Sequence, residues 1–283
     1  MTTATTATTA APRLTRPLPT LAAWLSHFRT APIPVLPTTA AAVQALAADE
    51  DAVDAHLLAE AIGSDPLMTL KLLSHVGSNS RRETDVETVV GALVLMGIGP
   101  FFRRFGELTP LDEALADDAT ALDGARAVLE RAHRAARFAL GFAAHRLDPD
   151  AEVIYEAALL HDFAELLLWC HAPALAQEIA RHQAADATLR SATVQKEVLG
   201  ITLADLQLAL MKAWRLPELL IRLEDNRHAA QTQVRYVLLA VRLARHTAQG
   251  WENAALPDDV ADIGALLQLG EVPTLKLLHE IDT

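Results

Sequence analysis

The chain is predicted to be all-α, and three observations predict it. Alanine and leucine carry most of a sequence that is 51% hydrophobic, while aromatics are only 5% and β-branched residues are sparse; this mixture favours helices packed closely through small side chains. Apolar residues recur at helical spacing in segment after segment. No segment alternates apolar and polar residues between hairpin signals.

The elements follow in order. Residues 1–16 are a low-complexity Thr/Ala tail, expected to be disordered, with neither the basic start nor the apolar core of a signal peptide. Residues 21–28 predict a short helix. The prolines of Ala31-Pro32-Ile33-Pro34-Val35-Leu36-Pro37 fix φ and remove donors, so this stretch is an extended connector. Thr38 or Thr39 then caps a helix to about Ala48, and a second helix covers about 53–62. Asp65 is a good N-cap and Pro66 suits the first helical position. Behind them Leu67, Leu70, Leu73 and Val76 mark one face, up to a stop at Gly77-Ser78-Asn79-Ser80. Thr84 or Asp85 caps the next helix, which carries Val89, Ala92, Leu93 and Met96 to a stop at Gly97-Ile98-Gly99-Pro100.

The polar, acidic stretch from Glu113 to Asp123 is read as a join between two lobes, 17–112 and 122–283. A long helix spans about 122–146 on the stripe Leu122, Ala125, Leu129, Ala132, Ala136, Leu140 and Ala143, with His133 beside it. On its outer face Arg126–Glu130 and Glu130–Arg134 have pairing spacing. An apolar helical run over 157–169 contains His161 and Asp162. Thr202 and Asp205 make a capping box for a helix over 203–214. Leu216-Pro217 breaks that helix and Pro217-Glu218 opens the next. Further helices cover about 232–249, 257–269 and 273–281.

The chemistry is sparse. With 24 basic and 36 acidic residues the net charge is −12, and the basic residues are dispersed, which argues against nucleic acid as a partner. No apolar run is long enough for a membrane span. The lone cysteine, Cys170, excludes an intramolecular disulfide, suits a cytoplasmic setting and is expected to be a buried, inert thiol. There is no Gly-x-Ser-x-Gly elbow. Gly97-Ile98-Gly99 has no preceding strand, so it is read as a helix stop and not a phosphate loop. Trp214 is expected to pack at a helix break. His75 sits at a helix end, where its charged form suits the dipole. His171 and His182 are read as helix-end or surface residues. His56, His145, His246 and His279 show no ligand spacing and are read as solvated or capping.

His161–Asp162 stands apart. Two adjacent ionisable groups in an apolar run are unfavourable unless something satisfies them. A metal ion would do so with further ligands; so would polar neighbours, with Glu165 one turn on from His161 as a partner.

Taken together and in this order, several motifs resemble the HDOD family, over nearly the whole chain from about residue 17. They are Leu36-Pro37, Ile62-Gly63-Ser64-Asp65-Pro66-Leu67-Met68-Thr69-Leu70, Ala92-Leu93-Val94-Leu95-Met96-Gly97, His133, Leu159-Leu160-His161-Asp162, Leu199-Gly200 and Trp214-Arg215-Leu216-Pro217. The resemblance implies a multi-helix fold in which an N-terminal helical lobe packs on an HD-like helical lobe. The related HD-domain phosphohydrolases use a His, a His-Asp pair and a later Asp to hold divalent metal, which activates water against a phosphoester. Carried over, His133, His161 and Asp162 match. The late helix, usually Ala-Asp-Arg-Leu-Ala, here reads Ala240-Val241-Arg242-Leu243-Ala244, and Val241 cannot ligate. Phe163-Ala164-Glu165 stands where Ile-Gly-Lys is frequent, Leu203 where a second-layer His is frequent, and Arg227-His228 where relatives often carry a His pair. The resemblance therefore implies a vestigial metal site.

Three functions remain open at this point. The first is a non-catalytic bacterial signal-transduction protein that needs no cofactor and acts in trans by binding a protein partner or small signalling ligand. The second is a phosphohydrolase acting on a nucleotide or cyclic dinucleotide, with one weakly bound divalent metal on His133, His161 and Asp162. The third is a helical scaffold that forms a homo-oligomer.

Overall fold

The computed structural model describes residues 13–79, 86–186 and 189–283. Among them there is no strand, and one isolated bridge pairs Val35 with Pro110. Residues 1–12 of the expected tail lie outside the described residues. Its last part does not behave as a tail. Arg13 donates to Ala114 O at 2.9 Å and pairs with Asp117 at 2.6 Å, and Leu14 N donates to His171 O at 2.7 Å.

Helix α1 (Leu21–Thr30) starts where the Thr20 side chain accepts from Ala23 N, and it buries Trp24 and Phe28. Helix α2 (Pro37–Leu46) begins on Pro37, earlier than a Thr38 or Thr39 cap would allow. Proline lacks an N–H that the first turn would leave unused, so the connector's last proline opens the helix. A 3-10 turn over Ala47–Ala52 leads to α3 (Ala55–Ile62). Helix α4 (Pro66–Asn79) is capped by Asp65, as its sequence implies. That buried carboxylate accepts from Leu67 N at 2.9 Å and Met68 N at 3.1 Å, and also from Leu36 N at 2.7 Å, so it ties the connector to the helix.

Helix α4 continues through Gly77 and Ser78, where a stop was expected. Gly77 is there for a close approach, because a Cβ would lie 2.4 Å from Arg215 O and 2.5 Å from Trp214 O. Ser80, Thr84 and Asp85 lie outside the described residues. The cap of α5 (Val89–Met96) is Thr88, whose hydroxyl accepts from Gly91 N at 3.2 Å. At Gly97, with φ of 82°, the chain stops α5 and at once starts α6 (Ile98–Phe105). The expected stop is thus a sharp corner. Pro100 is tolerated because it falls in the first turn, where N–H groups have no helical partner. Helix α6 buries Phe101, Phe102 and Phe105. A short helix, α7 (Leu111–Ala114), runs into the acidic stretch, whose last residues are already the first turn of the next helix.

Helix α8 (Ala119–His145) is the long helix, opened by the Asp118 side chain accepting from Ala121 N at 2.9 Å. Its stripe is buried as expected except at Leu122, which is half-buried, and at Leu140, which is exposed. Arg134 does not pair along its own helix. It forks onto Asp282, Nε to Oδ1 at 2.8 Å and a terminal nitrogen to Oδ2 at 2.6 Å, while Arg126 lies 3.8 Å from Asp123. The apolar run after it is two helices, α9 (Ala151–Leu160) and α10 (Phe163–His171), broken at His161–Asp162. Two helices follow that the sequence motifs had not marked, α11 (Pro173–Ala185) and α12 (Ser191–Leu199). At the start of α13 (Leu203–Ala213) the Thr202 hydroxyl accepts from Asp205 N at 3.1 Å and donates to its carboxylate at 2.6 Å. The chain ends in α14 (Glu218–Glu224), α15 (Thr232–His246), α16 (Leu256–Leu267) and α17 (Glu271–Ile281).

Helix α8 is the axle, with α9, α10, α15 and α17 packed against it. One continuous apolar cluster runs from Trp24 to Leu278 through both halves. Trp214 is buried as expected, its ring 6.0 Å from that of Phe163. Two histidines, His75 and His246, depart from their sequence reading, while His171 ends α10 as read but is buried and His279 is exposed as read. His75 packs edge-on to Phe105 at 5.4 Å, and burial together with Arg104 lowers its pKa, so the charged form is disfavoured. His171 is a buried residue whose Nε2 lies 2.9 Å from Pro32 O; burial pushes its pKa down to about 4. His246 Nδ1 lies 2.6 Å from the buried Asp259 carboxylate, and the His279 ring packs 4.2 Å from Trp251. Cys170 is buried as expected. No helix among the described residues is long and apolar enough to cross a membrane.

Candidate functional site

A cavity of about 720 Å³ opens between α8, α10, α11, α12 and α13 and the C-terminal ends of α14 and α15. Its floor is the break between α9 and α10. His161 ends one helix and Asp162 (φ −111°, ψ 21°) precedes the next, so the turn brings both side chains to the cavity. Arg131 from α8, Glu165 from α10, Glu224 from the last turn of α14 and Arg245 from the last turn of α15 complete the floor.

The floor is a lattice of acid–base pairs. Asp162 Oδ1 accepts from Arg245 at 2.5 Å, and its Oδ2 is 3.7 Å from Arg131. The same Arg131 nitrogen donates to Glu165 at 2.9 Å. His161 Nδ1 lies 2.7 Å from Glu224 Oε2, at ion-pair distance. Gln207 Nε2 donates to that same oxygen at 2.9 Å. Burial would raise the pKa of Asp162, but Arg245, His161 and Arg131 together hold it down at about 2. Burial would lower the pKa of His161, but Glu224 and then Asp162 carry it above its ordinary value. Arg131 is held charged in the same way, Glu165 and Asp162 outweighing its burial.

The structure brings His161 and Asp162 together and leaves His133 apart. His133 Nε2 lies 2.7 Å from Ser64 O, toward the N-terminal half. Arg131 is the residue of α8 that faces the pair. Two residues along a helix is a rotation of about 200°, so Arg131 and His133 serve opposite sides. Val241 is buried in the core; Arg245, one turn further on the same face of α15, reaches Asp162. Glu165, expected beside His161, pairs with Arg131.

The ion that the resemblance implies does not fit this donor set. Guanidinium groups approach Asp162 at both oxygens, and among the described residues no three His, Cys, Asp or Glu side chains converge to hold a metal. Arg131, Gln207, Glu224 and Arg245 went unmarked in the sequence; the one signal for them was the four-residue step from Val241 to Arg245. As it stands the arrangement can hydrogen-bond and orient a small molecule. Its carboxylates are occupied, and Cys170 lies outside the cavity lining with burial pushing its pKa up to about 12.

Comparison with known proteins places these observations. The HDOD domain family matches residues 33–230. The fold is similar to that of the MmoQ response regulator from Methylococcus capsulatus str. Bath, at 23% identity over 87% of this chain and 98% of that one, with a TM-score of 0.66. It is also similar to a virulence factor from Campylobacter jejuni subsp. jejuni, at 19% identity over 93% of this chain and 96% of that one, with a TM-score of 0.63. No curated protein matches significantly.

Proposed function

The chain belongs to the HDOD family, and from that premise we propose that it is a non-catalytic signal-transduction protein that works by binding a partner or small ligand. The observation that carries this reading is the grip of Arg245 and Arg131 on Asp162. Hydrolysis of the HD type needs a metal that activates water, and here the carboxylate that would help hold it is engaged by two fixed cations. The fold is retained around a cavity whose volume falls within the range of ligand pockets, about 300–1,000 Å³. MmoQ, of similar fold, is a response regulator, which accords with a signalling role, and the lone buried cysteine suits a reducing, cytoplasmic setting.

Purified protein from manganese-supplemented cells tests the reading, with metal analysis and a phosphodiesterase screen run in added Mn²⁺ or Mg²⁺. The expected result is metal well below one ion per chain and no turnover above the blank. Stoichiometric metal with turnover that disappears in Asp162→Ala would establish a phosphohydrolase instead.

A further inference from the structure

The cavity's lining says what kind of molecule it admits. We propose that it binds a small amphipathic molecule with an uncharged, hydrogen-bonding head and an apolar body, and that it discriminates against charged heads. This rests on the cavity being the binding site.

Charge comes first. The floor holds three acids and three bases already matched: Asp162 with Arg245, Glu165 with Arg131, and Glu224 with His161. A phosphate or carboxylate head would compete with Asp162 or Glu165 for a guanidinium, and an ammonium head would compete with a base for a carboxylate. Either exchange leaves a displaced charge unpaired in a largely buried place, where breaking a pair is more costly than in water. The remaining polar lining is Gln183, Ser191, Gln195, Gln207 and Gln249, none of them charged.

Hydrogen bonding comes second. The Ser191 hydroxyl and the side-chain amides of Gln183, Gln195, Gln207 and Gln249 line the cavity and carry both donors and acceptors without net charge. A hydroxyl or primary amide can satisfy both kinds of group at once, and a buried polar atom left unmatched is unfavourable. Shape comes third. Leu168, Trp169, Ile179, Leu203 and Leu208 line the walls, with alanines of α11 and α12 between them, and these suit an alkyl or ring body.

A series with one body and different heads tests this on the full chain by titration calorimetry, below micelle-forming concentrations. The probes are n-octyl-β-D-glucoside, octanoate, octylammonium and inorganic phosphate. The expected result is saturable binding of the glucoside, with octanoate and octylammonium weaker by about tenfold or more and no binding of phosphate. Glu165→Gln leaves the Arg131 guanidinium in surplus, so the preference moves toward octanoate. Arg245→Gln leaves one acid in surplus, so it moves toward octylammonium. Ala204→Trp, which fills the cavity from an exposed position at the start of α13, abolishes glucoside binding. Tighter binding of octanoate or phosphate than of glucoside to the unmodified protein overturns the proposed head group but leaves the binding-site reading standing. Equal binding of all three octyl compounds does the same. Glucoside binding that survives Ala204→Trp, or no binding of any octyl compound, overturns the binding-site reading and the proposal with it.

Discussion

Asp162 and Arg245 make the first test at the scale of single residues. Arg245→Ala leaves a carboxylate that is 11% exposed with Arg131, at 3.7 Å, and the charge of the neighbouring His161. Losing a partner in a fully buried pair costs about 3–5 kcal/mol. Arg245 is itself half exposed, so the expected loss in urea unfolding is nearer 1–2 kcal/mol. The acid limb of stability carries a second signature. Asp162 is held at about 2 against an ordinary 3.8. Because the folded value is the lower one, its contribution is complete above the unfolded value and fades as pH falls through the folded one. That contribution is about 2 kcal/mol. Asp162→Asn should flatten the stability curve in this window and leave neutral pH as the region of greatest loss. His161 and Asp162 were legible because ionisable groups stand out in an apolar run. Arg131 and Arg245 were not, since a charged residue on an amphipathic helix looks like any solvated position until the neighbouring helices are placed. His133 was identified on the helix that does face the site, but its side of that helix depends on where α8 sits relative to Ser64.

At the scale of elements, α9 reaches across to the start of α5. Glu156, buried on α9, accepts from Val89 N at 2.8 Å. Burial pushes its pKa up to about 8 from an ordinary 4.5, against the opposing hydrogen bond from Val89. The folded chain therefore keeps a proton that the unfolded chain releases, and stability declines as pH rises between those two values. The full effect is at most on the order of 5 kcal/mol. Glu156→Gln should retain the bond to Val89 and remove most of that slope in urea midpoints measured from pH 5 to 9. Gly77→Ala tests the contact of α4 with the turn before α14. Helix propensity alone would gain about 1 kcal/mol, yet the new methyl would meet two backbone carbonyls. Overpacking of this kind costs about 1–3 kcal/mol or more, so a net loss is expected in thermal unfolding. Helices with local signals were readable, as at Asp65-Pro66 and Thr202, because a cap is decided by its own few residues. The stop at Gly97 was readable as well, but the immediate start of α6 behind it and the break at His161 were not. The run around His161 carries no glycine or proline, so its sequence admits a continuous helix.

At the scale of the whole molecule, the N-terminal segment is woven into the second half of the chain. Trp24 Nε1 donates to Leu199 O at 3.2 Å, Leu14 N donates to His171 O at 2.7 Å, and the His171 ring bonds Pro32 O at 2.9 Å. With one apolar cluster through both halves, unfolding should be a single transition, with near- and far-ultraviolet circular dichroism coincident. Trp24→Phe should lower stability by about 1–3 kcal/mol, since it strands a buried carbonyl, while the two signals still move together. Separate transitions for the two halves would contradict this. The helical class was legible at this scale from composition and spacing. The lacing of α1 onto the end of α12 was not, because no local pattern records a contact between residues 175 apart in sequence.

Cys170 has a practical consequence. A thiol sealed in the interior near the end of α10, with a pKa near 12, is shielded from maleimides and similar reagents while the chain stays closed. Its alkylation rate in dilute buffer is therefore a built-in clock for opening of the core. Measured against urea, that rate reports how often this protein breathes, without any label having to be engineered.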